Sequence, residues 1–491
     1  MSKGKESVRD MLQEEVYMGR APILGNERIY SFKALALTAS AIGIASWCYT
    51  EGGWVASVLP IHLALFAAVI PMVAMAMIMM PVTTVSAKYG IENMLLLQST
   101  FGYKFIKIIW IILLATGTGW YALNANLFAG SMMNLADFFG YSINDGARPW
   151  FAALCIIIGS LLAINGPQFL KKSLFIMVPA LLGIGVLLMI KAVTTTTWSE
   201  LMAVTPIYEG TYATLGIAFI VMVEAAFAFV FAWFPVLGQF ARLAKTRSHS
   251  FWGHTLGYAV TMGFFVCIGV VTATLMASYG AYSDDPTDWM VRIGGPFWGF
   301  LSMIAIGLAN ITTQATGMYC WTVATKGLWT KLKYKHIVLI YAVWLIILVF
   351  SDAIWTYYSV FLAIIAVTCG VCLAVTCSDY FLLRKSTFSL KSIYKIKGHS
   401  AYNYTGGFNL IAAISLALGA MVYFTAYDPL NYAPKNEILF YMTPSVGSFA
   451  TAFFSYYLLS RIPAVKKYLM KDREEIAEVE AANAKTLQES E

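Results

Sequence analysis

The sequence predicts an all-α membrane protein of twelve transmembrane helices, and three observations predict it. Hydrophobic residues make up 59% of the chain and charged residues only 12%, against about 25% charged in a soluble globular protein. Continuous apolar runs recur from residue 33 to residue 460, many reaching the roughly 20 residues that cross a bilayer as a helix. The runs do not alternate polar with apolar, which argues against a transmembrane β-barrel. The third observation is the distribution of Lys and Arg. With the N-terminus inside, the inner connections carry seventeen of them, from Lys88 to Lys397, and the outer ones carry Arg148, Lys191, Arg292 and Lys435. That asymmetry is the positive-inside pattern.

The spans are read near 33–59, 61–87, 105–137, 149–165, 173–193, 212–243, 252–280, 294–325, 337–350, 354–383, 406–426 and 438–460. The division expected is a cytoplasmic tail (1–32), a first five-helix repeat (33–193), a second (194–400), helices 11 and 12 (401–460) and a cytoplasmic tail (461–491). The start, "MSKGKESVRDMLQEEVYMGR", lacks the apolar core of a cleavable signal peptide. The end, "KDREEIAEVEAANAKTLQES", reads as a solvated tail. The outer connection "YSDDPTD" (282–288) holds three aspartates and no Lys or Arg. The formal charge of +7 follows from basic loops facing an anionic leaflet, and nothing points to nucleic acid. The expected setting is the cell membrane, multi-pass, with both termini cytoplasmic and the chain working as a monomer.

Seven cysteines all lie within apolar runs, and the Cys369/Cys372 pair has C-x-x-C spacing without a second pair. Small apolar fillers are expected there, with no disulfide framework and no structural zinc. The five histidines (His62, His249, His254, His336, His399) fall at span edges or in loops, so no catalytic metal cluster is expected. No H-E-x-x-H or credible G-x-S-x-G is present, so the chain is read as no enzyme. A channel would show a repeated pore loop, and a sensor would carry a signalling domain.

Polar residues inside spans mark pathways by default. The first span holds "SWCYTEGGW" (46–54), the third "TGTGWYALNANLF" (116–128), the eighth "LANITTQATGMY" (308–319), and the sixth has Glu224 followed by Pro235 and Gly238. Trp120 and Asn124 are four apart and share one helix face; a stacking surface with one amide suits a flat polar solute. Thr312 and Thr313, with carbonyls from an unwound helix, suit a small-cation cage. The glycines of the first span and Pro235 of the sixth predict broken helices. Interrupted helices at matching places in two oppositely oriented halves point to a transporter site at the bilayer midplane.

Four segments resemble the nucleobase–cation symporter family, whose members take up cytosine, purines, allantoin and hydantoins. "AKYGIENMLLLQSTFGYKF" (87–105) is similar to its second-to-third-span loop and "GWYALNANLFAG" (119–130) to its "GWFG" third span. "SDYFLLRKSTF" (378–388) is similar to the "ADYFLxRR" end of the tenth span, and "AYNYTGGFNLIAAISLALG" (401–419) to the opening of the eleventh. The resemblance covers nearly the whole chain. It implies a five-plus-five inverted-repeat core of LeuT type with broken helices 1 and 6, two extra helices, and a solute held between spans 1, 3, 6 and 8. It also implies that Trp120 stacks on the solute, that Asn124 stands where the family has a polar or small residue, and that Phe229 closes the other side of the ring. Thr312 and Thr313 match the hydroxyl pair that ligates sodium in cation-coupled members; Gly43, Ser46 and Ala309 would supply carbonyls. Na+ is thus the expected coupling ion, with H+ the alternative, and no other cofactor is expected. Two departures stand out. Gln239 replaces the acid of the family's "DxxR" sixth-span ending, and "TTQATGM" carries Gln314 and Thr316 where the family has asparagines, which speaks against cytosine itself.

Glu51 and Glu224 are expected roughly one turn outside the two breaks, facing one outer vestibule with Trp47. Two acids in a low-dielectric cavity need a proton, a metal cation or a cationic solute. Three readings stay open. The solute is a small nitrogen-rich cation of guanidinium or amidine type; one acid couples a proton to a neutral nucleobase; or Glu51 faces open water and Glu224 bonds a neighbouring helix. Asp379 is expected to pair with Arg384 at the inner edge, and Asp352 to be solvated in an outer turn. The rival within transporters is an amino-acid or amine symporter with the same core.

Overall fold

The computed structural model describes Tyr17 and residues 21–283, 285–351, 356–395, 400–431, 433–478 and 481. Asp284, Asp352, His399 and most of both tails lie outside the described residues. Among those described, nine helices are long and apolar enough to cross a membrane, and ten when one bent pair is counted as a span. Two further helices of 17 residues, Leu410–Ala426 and Pro444–Ser460, fall at the eleventh and twelfth expected positions. Large apolar side chains such as Phe66, Met77, Ile176, Leu339 and Leu458 are exposed on the outside of the bundle, as a lipid-facing surface requires.

The bent pair is the first span. Helix α1 (Phe32–Gly43) and helix α2 (Ser46–Val58) meet at 52° across Ile44 and Ala45. Ile44 N–H still reaches the Ser40 carbonyl (2.9 Å), but Ala45 N–H turns to Ile42 (3.3 Å) and Cys48 N–H to Ala45 (3.0 Å). The carbonyls of Ala41, Gly43 and Ile44 are thereby left outside the helical ladder. The expected interruption is present, but Gly52 and Gly53 do not cause it, since α2 runs straight through them. Gly52 serves packing instead: a Cβ there would stand 2.0 Å from the Val266 carbonyl oxygen, and one at Gly269 would stand 2.2 Å from that of Tyr49. The two glycines let the backbones of α2 and the seventh span touch, a small-residue contact that suits association inside lipid.

The second span, α3 (Ile61–Tyr89), passes through a π-helical turn at Met75–Met79. The third, α4, is Phe105–Phe138 and the fifth, α5, is Gly166–Thr195. The sixth span is interrupted. Helix α6 (Leu215–Phe231) ends in a turn at Ala232 and Trp233; a 3-10 turn follows at Phe234–Val236, and α7 (Leu237–Ala241) resumes the path. Pro235 has no N–H to donate and sits in the tight turn, as its missing donor dictates. The seventh span is α8 (Arg247–Ser278), the eighth α9 (Gly295–Leu328), and the tenth α10 (Val360–Leu383). Strands Tyr427–Asp428 and Ala433–Pro434 form a small antiparallel hairpin, Tyr427 opposite Pro434.

Two expectations about location are corrected. His254 is not at an edge: it is buried inside α8, its Nδ1 2.7 Å from the Ser250 carbonyl and its ring stacked on Tyr258. The described part of the C-terminal tail is not wholly solvated. Leu469, Asp472 and Ile476 are buried while many of their neighbours stay exposed, because the tail folds back against the end of the bundle that carries Arg384. There Arg384 donates to Asp379 (2.9 Å), Asp472 (2.7 Å), the Tyr404 hydroxyl (2.9 Å) and the Leu469 carbonyl (2.7 Å). The expected Asp379–Arg384 pair is therefore one arm of a larger node.

Candidate functional site

The break of the first span, the break of the sixth, α4 and α9 converge on one buried cluster of rings and amides. Trp120 projects from α4 among Trp47 (6.2 Å between ring centroids), Phe229 (5.5 Å) and Phe361 of α10 (5.3 Å). Trp47 in turn meets Tyr121 (6.1 Å) and Trp233 (5.2 Å). The contacts to Trp120 are edge-on or tilted, at 60° to 74°. Such geometry leaves a ring face free of parallel stacking.

One turn along α4, Asn124 is wholly buried and donates its amide to the Asn310 carbonyl (2.9 Å) and to Gln314 Oε1 (3.2 Å). Asn310 ties this pair to the first break, where its Oδ1 accepts the Ser46 hydroxyl (2.6 Å). Seven polar atoms of the cluster have no protein partner: Trp47 Nε1, Trp120 Nε1, Tyr121 Oη, Asn124 Oδ1, Asn310 Nδ2, Gln314 Nε2 and Trp233 Nε1. Buried polar atoms are nearly always hydrogen-bonded, so this many unpartnered ones in one cluster mark a site built for a polar ligand. Gln314 fits because Gly159 opposite it has no side chain; a Cβ there would lie 2.5 Å from Gln314 Cγ. Thr316 does not join this set, since its hydroxyl donates to its own helix at Thr312 (2.7 Å).

The candidate cation cage lies beside this cluster. The Thr313 hydroxyl reaches across the first break to the Ala41 carbonyl (2.8 Å), and Thr312 donates to the Ala309 carbonyl (2.8 Å). Only the Thr313 bond joins the two elements, the Thr312 bond staying within α9; hydroxyl and carbonyl oxygens are the donor type that fits a hard cation. The expected carbonyl of Ser46 does not take part. Ser46 already lies within α2 and its carbonyl accepts the Thr50 hydroxyl (3.3 Å). Ala41 meets Thr313 instead, next to the Gly43 carbonyl freed by the break.

The two acids part company. Glu51 lies six residues past Ala45, about 9 Å along the helix, and Glu224 eight residues before Ala232, about 12 Å. Each is therefore nearly two turns or more from its break, where one turn was expected. Glu224 accepts Ser445 N–H (2.9 Å) and the Ser445 hydroxyl, both from the start of the Pro444–Ser460 helix. It is five residues from Phe229, so the two side chains leave α6 about 140° apart. Phe229 faces Trp120, and Glu224 faces the twelfth helix. A vestibule shared by the two acids does not form. Glu51 remains buried on the Trp47 side of α2.

Asn310, Tyr121, Trp233, Phe361 and the Ala41 carbonyl were missed in the sequence. Asn310 stands four residues before Gln314 and shares its helix face, a signal that could have found it. Trp233, two residues before the helix-breaking Pro235, carried another. Phe361 carries none, because its place depends on how the tenth span packs.

A family model described as "Permease for cytosine/purines, uracil, thiamine, allantoin" matches residues 29–447. The chain belongs to that family. This cytosine/purine permease family is one of transporters, not enzymes. Two curated relatives are a purine-uracil permease of Arabidopsis thaliana and the allantoin permease of Bacillus subtilis (strain 168). The first is 22% identical over 238 residues, covering 45% of this chain and 38% of the relative. The second is 24% identical over 231 residues, covering 46% and 45%. The alignments thus span less than half the length of either relative. Among solved structures, a nucleobase-cation-symport-1 family transporter, Mhp1, in a closed conformation with bromovinylhydantoin bound, shares the fold. Its TM-score is 0.73 at 18% identity, covering 92% of this chain and 95% of that one. A Na+-coupled sialic acid symporter has the same fold, with a TM-score of 0.63, 12% identity and 92% coverage of both chains.

Proposed function

We propose that this chain is a secondary active transporter that takes up a small planar nitrogen-rich solute, a purine, pyrimidine, hydantoin or allantoin, by alternating access across the cell membrane. The observation that carries the reading is the ring of unpartnered polar atoms around Trp120. A flat heterocycle stacked on Trp120, with Phe229 and Trp47 at its edges, would offer acceptors to Gln314 Nε2 and Asn310 Nδ2 and an N–H to Asn124 Oδ1. Such a site rejects apolar rings of the same shape, because they would leave its buried amides unpaired.

Sodium is the proposed second passenger, held by Thr312, Thr313 and the carbonyls of Ala309, Ala41 and Gly43. An ion there would bridge the first break to α9. Because Asn310 of α9 also holds Ser46 and Asn124, ion and solute would stabilise one closed arrangement of the same two elements, which is how binding of one favours the other. The protein is proposed to act as a monomer with both termini in the cytoplasm. Proton coupling is the alternative for the ion.

The test is uptake of labelled uracil, xanthine, allantoin and hydantoin into proteoliposomes under an imposed sodium gradient. Accumulation above equilibrium for at least one compound, abolished by a sodium ionophore, is expected. Flux that never exceeds equilibrium would make the protein a channel or facilitator and overturn active transport; accumulation driven by a pH gradient alone would replace sodium by the proton.

A further inference from the structure

Glu51 is an ionisable group in the middle of α2 with only 4% of its surface exposed. Its Oε1 is buried with no hydrogen-bond partner, whereas Glu224 is held by two donors from Ser445. Its direction follows from the helix. Four residues separate it from Trp47, so both lie on one face, with Glu51 about 6 Å further outward. Tyr49 and Gly52 define the opposite side: Tyr49 packs on Phe265 (5.1 Å), and Gly52 abuts the Val266 carbonyl. Glu51 therefore points away from the seventh span and toward the side on which Trp47 meets Trp120 and Trp233.

A carboxylate in a membrane interior without a partner is costly and marks a functional role. Trp47, on the same face of α2, meets Trp120, and the faces of such rings attract cations. The unpartnered donors of the cluster are the N–H groups of Gln314, Asn310, Trp120, Trp47 and Trp233, and its unpartnered acceptors are Asn124 Oδ1 and, on the Trp47 face of α2, Glu51 Oε1. Among these groups only Glu51 is a carboxylate.

We infer that Glu51 is a specificity-determining residue, and that the solute is a planar cation whose amidinium or guanidinium edge faces Glu51 while its other edge meets Gln314 and Asn310. This rests on the transporter reading above and its planar-solute site, and goes beyond it by giving the preferred solute a positive charge. Pyrazine-2-carboxamidine and pyrazine-2-carboxamide are the probes, being planar, nearly isosteric, different in charge and furnished with ring nitrogens that can accept from Gln314 and Asn310. Their binding to the purified, sodium-loaded full chain is measured by thermal shift and titration. Wild type is expected to bind the amidine at least about tenfold tighter than the amide. Glu51→Gln should reduce that preference to within about twofold while still binding the amide, which shows that the variant is folded; Glu51→Asp should keep the preference. Equal binding of the two probes by wild type, binding of neither, or an unchanged preference in Glu51→Gln overturns the inference. A proton-coupling Glu51 would give the last of these patterns with pH-gradient-driven uptake lost. Trp120→Ala separates the two levels: if it leaves all binding intact, the site itself is misassigned, whereas loss of both probes there with no charge preference in wild type sinks only the role of Glu51.

Discussion

Trp120 and Asn124 illustrate what single residues could disclose. Their four-residue spacing placed a ring and an amide on one face, and the structure puts both in the central cluster. Replacing Trp120 by Ala should weaken solute binding by about 1–3 kcal/mol, the range for losing one base-stacking ring, with Trp120→Phe recovering part of it; equilibrium binding of the transported compound measures both. Thr313→Ala should raise the sodium concentration needed for half-maximal uptake by about tenfold with little change in the solute's own KM at saturating sodium. Glu224→Gln should leave solute selectivity unchanged and lower the melting temperature, because its carboxylate fixes the start of the twelfth helix and does not line the site. For Glu224, the open reading that it bonds a neighbouring helix matches the structure, but the partner could not be named from sequence. An acid in an apolar run announces its cost, but its partner Ser445 is 221 residues away, and only the fold brings them together.

At the scale of elements, both interruptions were legible but their causes were only half so. Pro235 lacks an N–H and breaks the sixth span by chemistry that one residue determines. In the first span Gly52 and Gly53 were read as marks of a broken helix, yet Gly52 marks where two backbones touch, and the break falls earlier at Ile44–Ala45. Gly52→Ala would force a Cβ to 2.0 Å from the Val266 carbonyl. It should destabilise the protein by about 1–3 kcal/mol, read as a lower melting temperature and a lower folded yield, without moving Trp120 or Asn124. The sodium-site carbonyls show the same division. The hydroxyl pair was visible in "TTQ", whereas the identity of the facing carbonyls depends on the residue at which the helix unwinds.

For the whole molecule, composition and the distribution of basic residues were enough to give a polytopic helical bundle, and the order of family-like segments gave its class. What escaped the sequence was the tail. Charged and short of aromatics, it resembled solvated chain, but the buried Arg384 reaches Asp472 and draws it under the bundle. Asp472→Ala leaves Arg384 paired with Asp379 but strips a buried acceptor from Arg384 and from the Tyr402 hydroxyl, so it should cost about 1–3 kcal/mol and be visible in thermal unfolding. A second contact is milder. Burial pushes the Glu475 carboxyl up, but hydrogen bonds from Lys395, Ser389 and Ser392 outweigh that and hold it below the usual carboxylate range. A lowered folded value means the contact is fully present above the ordinary glutamate range, near about 4.3, and is lost as pH falls through the lowered value. The protection factors of amides in residues 463–478, measured against their intrinsic exchange rates at each pH, should therefore hold at neutral pH and fall only in acid. The central claim, that two broken helices together with α4 and α9 hold a flat solute against Trp120, is tested most directly by a thermal-shift comparison of wild type and Trp120→Ala across nucleobases, hydantoins and planar amidines in sodium. At least one planar compound should stabilise wild type and none should stabilise the variant; equal stabilisation of both proteins by the same compound would contradict the account.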